Sequence, residues 1–349
     1  MIGEVKNYRE FYFEKMRGMN PFYNEKSLEK MYPIVEEIRV LKESKNAIIL
    51  SHYYMPSEIQ VLSKDGGVAD YLGDSLGLSL EAAKAKADYI IFCGVRFMAE
   101  TATILNQGKK VLIPDKEAGC SLASGITGED VRNLKRQYPG VPVIAYINTY
   151  AETKAECDVI CTSRNALKIA ESFPNKQLIF VPDEFMGRNL SEVIYRETGK
   201  KLIVWNAKCE VHEQFTKDKI HNIMTNYPDA EVLVHWEVPD DAVHESLSKG
   251  NGIVGSTSDI INYVGNSKTH QFILGSECDL GATLRGLYRD KEFITPCIEC
   301  PYMKKINLQN TLAALQSIGT SKEADYLVDV PEPIRSKAYI PLKRMIDLS

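Results

Sequence analysis

The chain repeats one pattern three times, and this restricts its fold more than any other feature. Apolar, β-branched runs NAIILSHYY, VPVIAYINTY and AEVLVHWEV read as buried strands. They end at His52, Tyr146 and His235, at intervals of 94 and 89 residues. A second set comprises ADYLGDSLGLS, CDVICTSRNALKIA and GIVGSTSDIINYV. Each gives a short strand, a hydroxyl-bearing turn and the start of an amphipathic helix. Ser75, Ser163 and Thr257 align there, at intervals of 88 and 94. DYIIFCGVRFMAE, KQLIFVPDEFMGRNL and HQFILGSECDLGATL form a third set. The fourth is KKVLIPDKEAGCS, KKLIVWNAKCEVH and the weaker EFITPCIECPYM, reaching Cys120, Cys209 and Cys300 at intervals of 89 and 91. One period shared by four features marks a triplication rather than chance likeness among turns.

Strands alternating with helical stretches such as LEAAKAKA and NALKIAESF predict an α/β fold. The expectation is three homologous three-layer αβα domains with parallel sheets, packed around a pseudo-threefold axis. The units are expected at 1–128 with an N-terminal helical extension, 129–222, and 223–349 with a C-terminal extension. The segment to about Ser44 and the tail after Asn310 fall outside the repeat, the tail reading as a loop and a short helix. Ligands of parallel α/β units bind at the carboxyl ends of the strands. Three units pointing those ends inward would share one central active site.

Composition excludes several functions. A formal charge of −5 leaves no general basic field for nucleic acid. No apolar run approaches the ~18 residues of a membrane span. The opening MIGEVKNYREFYFEKMRG mixes charges of both signs and lacks the apolar region of a signal peptide. A cytoplasmic address is therefore expected, and with it no disulfide framework among the eight cysteines. Walker A and GxGxxG patterns are missing, so nucleotide binding has no motif support.

Three thiolates, one from each unit, suit a [4Fe–4S] cluster with one iron left open, able to act as a Lewis acid. Taken singly, each cysteine would be a small buried hydrophobe; recurrence at aligned positions sets Cys120, Cys209 and Cys300 apart. Cys297 and Cys300 also form a CxxC, which suits half a zinc site or a redox pair, but no second CxxC completes a zinc ribbon. Cys157 and Cys161 read as core, and Cys93 and Cys278 as structural residues at strand ends. Gly-Asp-Ser75, Cys-Thr-Ser163 and Gly-Ser256-Thr257 are each expected to open a helix. A lone Ser or Thr there normally caps its own helix. Three helix N-termini on one cavity would suit carboxylate or phosphate.

Ordered motifs then bring in a family. They are His52-Tyr-Tyr-Met-Pro-Ser-Glu-Ile-Gln60, Gly73-Asp-Ser-Leu76, Phe92-Cys-Gly-Val-Arg-Phe-Met-Ala-Glu100 and Pro114-Asp-Lys-Glu-Ala-Gly-Cys-Ser-Leu-Ala123. Tyr146-Ile-Asn-Thr149, Cys161-Thr-Ser163, Gly255-Ser-Thr-Ser258 and Cys300-Pro-Tyr-Met303 complete them. Across nearly its whole length the chain resembles the quinolinate synthases. The resemblance implies a transferase of NAD biosynthesis that joins iminoaspartate to dihydroxyacetone phosphate, releases phosphate and two waters, and closes a pyridine ring. It implies a [4Fe–4S] cluster on Cys120, Cys209 and Cys300, with Pro301 and Met303 favouring Cys300 as the ligand. Cys297 is then a bystander or a redox partner of Cys300. The resemblance also implies functional coupling to an iminoaspartate-producing enzyme.

By position, the resemblance implies active-site roles for His52, Tyr54, Tyr146, Asn148, His212, His235 and Glu237. It implies carboxylate or phosphate binding by Ser75, Ser163, Ser256 and Thr257. Glu237 is the candidate base, assisted by Tyr54 and the histidines. One departure is His235-Trp236-Glu237, where the family commonly has proline in the middle. The two functional residues keep their i, i+2 spacing, which puts both on one face of a strand end. His221, His244 and His270 have no such support and read as surface or structural. The competing readings are another open-iron dehydratase, needing no phosphate site, and a redox or iron sensor using Cys297 and Cys300 as its switch.

Overall fold

The computed structural model describes residues 7–106 and 108–349; the first six residues of the charged opening stretch lie outside them. Each repeated run forms the strand expected of it. The first sheet holds β1 (Ala47–His52), β2 (Tyr71–Gly73), β3 (Tyr89–Cys93) and β4 (Lys110–Leu112). The second holds β5 (Val143–Tyr146), β6 (Val159–Cys161), β7 (Gln177–Val181) and β8 (Lys201–Val204), and the third β9 (Glu231–His235), β10 (Gly252–Gly255), β11 (Gln271–Gly275) and β12 (Glu292–Ile294). All pairings are parallel, and each sheet orders its strands second, first, third, fourth. The first and third strands are the most deeply buried, as in Ile49, Ile90, Ile144, Ile179, Val232 and Ile273. Covered on both faces by helices, they are continuously apolar instead of alternating.

The helix that follows each cysteine extends the repeat. Gly128–Gln137, Lys217–Asn226 and Leu308–Ser317 are capped by Thr127, Thr216 and Asn307, each seven residues beyond Cys120, Cys209 and Cys300. In each, the capping side chain accepts the N–H three residues on, satisfying a donor that the first helical turn leaves free. The first two helices lead into β5 and β9. The third packs on β3 and on the helix Glu25–Ser44, closing the series back onto the first sheet. The tail therefore departs from expectation, because the repeat runs on to Ser317. The helix Lys217–Asn226 likewise crosses the expected 222/223 junction. Its buried Ile220 and Met224 pack with Val232 and Val234, so it goes with the third sheet.

The extensions tie the units together. The helix Tyr8–Met19 packs on Cys278–Leu287 of the third unit. The last helix, Ile334–Asp347, lies against β6 and against Arg96–Leu105, joining the second unit to the first. No helix among the described residues is long and apolar enough to cross a membrane.

Two local expectations fail. Cys-Thr-Ser163 does not open a helix: Asn165 accepts the Thr162 N–H at 2.7 Å and holds a turn, and the helix starts at Ala166. Cys278 starts a helix instead of ending a strand, and it forms a disulfide with Cys297 across 19 residues. The CxxC is thus no pair, and Cys300 is free. Cys93, Cys157 and Cys161 are buried and free, as core residues should be.

Candidate active site

The first strands of the three sheets end in one polar cluster. Glu237, 3% exposed just beyond β9, sits at its centre. Its Oε1 accepts the Tyr146 hydroxyl at 2.5 Å, and its Oε2 lies 3.1 Å from His212 Nδ1. His212 Nδ1 is also 3.3 Å from Cys209 Sγ, and the His212 ring stacks on His235 at 4.7 Å. Tyr54 bonds to Ser276 at 3.0 Å and to Thr257 at 3.2 Å. His212 Nε2 reaches the same Ser276 hydroxyl at 3.5 Å, so one hydrogen-bonded network draws on all three units.

The i, i+2 spacing fixes more than side-chain direction. His52 Nδ1 accepts the Tyr54 N–H at 3.1 Å, and His235 Nδ1 accepts the Glu237 N–H at 3.3 Å. Each imidazole is thereby set with its hydrogen on Nε2. Burial lowers the His52 pKa to about 3, with the neighbouring His235 adding to the effect. Burial lowers His235 to about 4, against the pull of Glu237. Both rings are neutral donors at neutral pH. Burial works to raise the Glu237 pKa, but His212, His235 and the Tyr146 hydroxyl outweigh it and hold the carboxylate ionised. The phenols of Tyr54 and Tyr146 are pushed well up by burial and keep their protons. Trp236 does not disturb this geometry: Asn189 Nδ2 donates to the Trp236 and Val238 carbonyls, at 2.8 and 2.9 Å, and pins the backbone on either side of Glu237.

The three cysteines share one local design. Each stands before a short helical turn, Ser121–Ser124, His212–Gln214 or Met303–Lys305. Backbone N–H groups of those turns, Leu122 and Ala123 for Cys120, His212 for Cys209, and Tyr302 and Met303 for Cys300, favour the thiolate form. Burial raises the Cys120 thiol to about 12 and Cys300 to about 11, and pushes Cys209 well up. The Ser121 hydroxyl donates to the Lys208 carbonyl at 3.5 Å and accepts the Glu210 N–H at 3.4 Å, which joins the Cys120 turn to the Cys209 segment, and Cys209 and Cys300 pack against one apolar cluster with Val211 and Phe215. Cys209, His212 and Glu237 present ligand atoms within 4.8 Å of each other.

The hydroxyl turns divide their work. Ser256 is fully buried and caps its helix, bonding reciprocally with Asp259. Thr257, the next residue, faces Tyr54 instead. Ser75 and Ser163 are half-buried and stand outside the hydrogen-bonded cluster. Asp74, ahead of Ser75, caps its helix and accepts the Ser258 hydroxyl at 2.5 Å, linking the first unit to the third. Asn148 follows Tyr146, and its side-chain oxygen is buried without a partner.

Ser276, Glu277, Lys304 and Asp183 also belong to this neighbourhood and were not picked out from the sequence. Glu277 is fully buried and accepts the Cys300 N–H at 3.2 Å and Lys304 Nζ at 2.8 Å. Lys304 also donates to the Tyr54 carbonyl at 2.9 Å, tying the cysteine segment to the tyrosine. These residues follow the third strand of a unit or the third cysteine. Aligning the residues just after the third-set strands, as was done for the first set, brings Val95, Asp183 and Glu277 together.

Known proteins resemble this chain over most of its length. A "Quinolinate synthase" of Caulobacter vibrioides is 42% identical over 90% of this chain and 82% of its own. "Quinolinate synthase 2" of Mesorhizobium japonicum is 41% identical over 89% of this chain and 90% of its own. A "Quinolinate synthase" of Synechocystis is 40% identical over 90% of this chain and 95% of its own. A profile described as Quinolinate synthetase A protein matches residues 36–347, a span that takes in all three sheets, the three cysteines and Glu237, and the chain belongs to that family.

Proposed function

We propose that the chain is a quinolinate synthase of NAD biosynthesis that joins iminoaspartate to dihydroxyacetone phosphate, with release of phosphate and two waters. The observation that carries this reading is the ionised Glu237 held between Tyr146 and His212 beside a free cysteine thiol. It sits in a chain whose relatives carry that activity in their names.

The donor set fits an iron–sulfur cluster. Cys120, Cys209 and Cys300 are free, and backbone N–H groups of the turn after each cysteine favour its thiolate. Burial and mutual repulsion oppose three thiolates here unless a cation compensates them. When bound, a [4Fe–4S] cluster on these three thiolates would leave one iron without a protein thiolate and supply Lewis-acid chemistry to a substrate hydroxyl or carboxylate.

The chain's own residues do the remaining work. Glu237 is ionised and takes protons from carbon or nitrogen as bonds form. Tyr146 donates to Glu237 in the resting site and can return a proton through the same contact. His52 and His235, neutral with hydrogen on Nε2, are donors suited to substrate carboxylates or carbonyls. Thr257 and Tyr54 offer hydroxyls beside the N-terminus of the helix Thr257–Asn266, where an anion is favoured. Burial excludes water from the intermediates. The test is an anaerobic assay of the purified protein with both substrates, beside Cys209→Ser. Brown wild-type protein that forms quinolinate, with an inactive and iron-depleted variant, is the expected outcome. Iron-loaded wild type that forms none overturns the reading.

A further inference from the structure

The residues that open the helices after β3, β7 and β11 are Val95, Asp183 and Glu277, one from each unit. Val95 shows that this helix forms without a side-chain cap. Glu277 uses both carboxyl oxygens: Oε1 takes the Cys300 N–H and Lys304, and Oε2 takes the Asp279 N–H at 2.8 Å. Asp183 differs from both. It is 0% exposed, and its Oδ1 accepts the Met186 N–H at 2.7 Å. Its Oδ2 is buried with no hydrogen-bond partner. A buried polar atom left unpartnered costs about 1–3 kcal/mol, and such atoms point to a function or a bound group.

The surroundings identify that function. Asp183 forms a parallel bridge with Ala207, on the segment leading to Cys209. β7 pairs with β5 at Val181 and Ala145, so Asp183, two residues beyond Val181, stands beside the end of the strand that carries Tyr146. Three buried side-chain atoms lack a partner among the described residues, Asn148 Oδ1, Asp183 Oδ2 and Asn251 Oδ1. Two of these three belong to the second unit's share of the site. We propose that Asp183 is a substrate-contacting residue, its Oδ1 holding the helix Glu184–Thr198 and its Oδ2 making a hydrogen bond to an oxygen of the bound substrate. Burial and the Glu237 charge push the Asp183 carboxyl well above the usual carboxylate range. That direction favours the protonated carboxyl, an O–H donor to a substrate oxygen. The ligand class is a carboxylate, carbonyl or hydroxyl oxygen of a small anionic substrate or of the pyridine dicarboxylate product.

This inference rests on the quinolinate synthase reading, and the test separates the two. Asp183→Ser keeps an oxygen to cap the helix but removes the second polar atom. Asp183→Asn keeps the cap and places an N–H donor where Oδ2 stands. The three iron-loaded proteins are compared anaerobically for kcat, KM, quinolinate binding by calorimetry and thermal midpoint. The serine variant should lose ~10–100-fold in kcat/KM and bind quinolinate more weakly, with little change in melting. The asparagine variant should stay within about threefold of wild type. Unchanged kinetics and binding in the serine variant, or equal losses in both variants, overturn the inference while active wild type leaves the function standing. Should the serine variant not fold, Asp183→Thr supplies the same cap oxygen with a methyl group filling the lost volume. A wild type that neither forms nor binds quinolinate overturns the function and this inference together.

Discussion

Lys154 has no exposed surface and ends the short helix Ala151–Lys154, eight residues after Tyr146. Its ammonium donates to the carbonyls of Ile147, at 2.8 Å, and Thr149, and lies 5.4 Å from the centre of the Phe97 ring. Those carbonyls flank Asn148, so Lys154 holds the turn that follows Tyr146. Burial lowers its pKa to about 7, against the pull of Glu100. The unfolded chain titrates near 10.5, so between pH 7 and 10.5 it binds a proton that the folded protein does not. The stability from this group is full above pH 10.5 and is lost as pH falls towards 7. Each pKa unit is worth 1.36 kcal/mol, so raising the pH from 7 to 9 stabilises the wild type by about 2–3 kcal/mol through this residue. Lys154→Met removes the titration. It leaves two carbonyls unpartnered, at about 1–3 kcal/mol each, but relieves the desolvation of an ammonium. Near pH 7 these effects largely offset; at pH 9 the variant should fall a further 2–3 kcal/mol, about, behind the wild type. Urea unfolding followed by circular dichroism at both values measures the gap. A gap that does not change with pH refutes the assignment of Lys154 as a lysine that is neutral in the folded state above pH 7.

Three further outcomes follow from the site. Lys304→Met removes the cation between Glu277 and Asp279 and frees the Tyr54 carbonyl. Breaking a buried pair costs about 3–5 kcal/mol, so a lower melting temperature and less iron per chain are expected; intact iron content would show that this pair does not hold the Cys300 segment. Glu237→Gln should lower turnover ~10²–10⁴-fold with iron content unchanged, and near-normal turnover removes it as the base. Cys297→Ser opens a disulfide across 19 residues, worth about 3 kcal/mol in loop entropy. Its melting temperature should drop and no longer respond to reductant, and a variant that melts like oxidised wild type contradicts a stabilising bridge.

The architecture was legible because one period near ninety ran through four kinds of feature at once. Buried parallel strands must be apolar along their whole length, so NAIIL, VPVIAY and EVLVH announce themselves without tertiary information. The strand-end His, Tyr and Glu were legible for the same reason, since pseudo-equivalent ends converge on one hydrogen-bonded cluster. Details that depend on a single contact were not. Whether Ser163 opens a helix depends on Asn165 bonding back to Thr162, which the pattern of hydroxyls does not show. Cys278 and Cys297 meet only because the loop after β12 returns to the start of the helix Cys278–Leu287, and no spacing rule selects that pair over Cys297 with Cys300. Lys304 resembled any surface lysine until Glu277, Asp279 and the Tyr54 carbonyl were found around it.

Repetition explains convergence, but catalysis requires the copies to differ. At the first strand ends the i, i+2 pairs are His52 with Tyr54, Tyr146 with Asn148, and His235 with Glu237. Only one pair carries a carboxylate, and this difference has an electrostatic reason. Three carboxylates at one centre would repel each other and oppose the three thiolates nearby, raising all their pKa values. One carboxylate flanked by a phenol and an imidazole can stay ionised, as Glu237 does. A second acid is admissible where it is neutralised, as Glu277 is by Lys304, or where burial favours its protonated form, as at Asp183. The third unit supplies the carboxylate proposed as the base, and the second supplies the phenol bonded to it. Tyr146 and Glu237 lie 91 residues apart, one repeat length, yet in bonding distance. No single unit holds a complete site, so a change that shifts one sheet against another should reduce activity before it unfolds any of them.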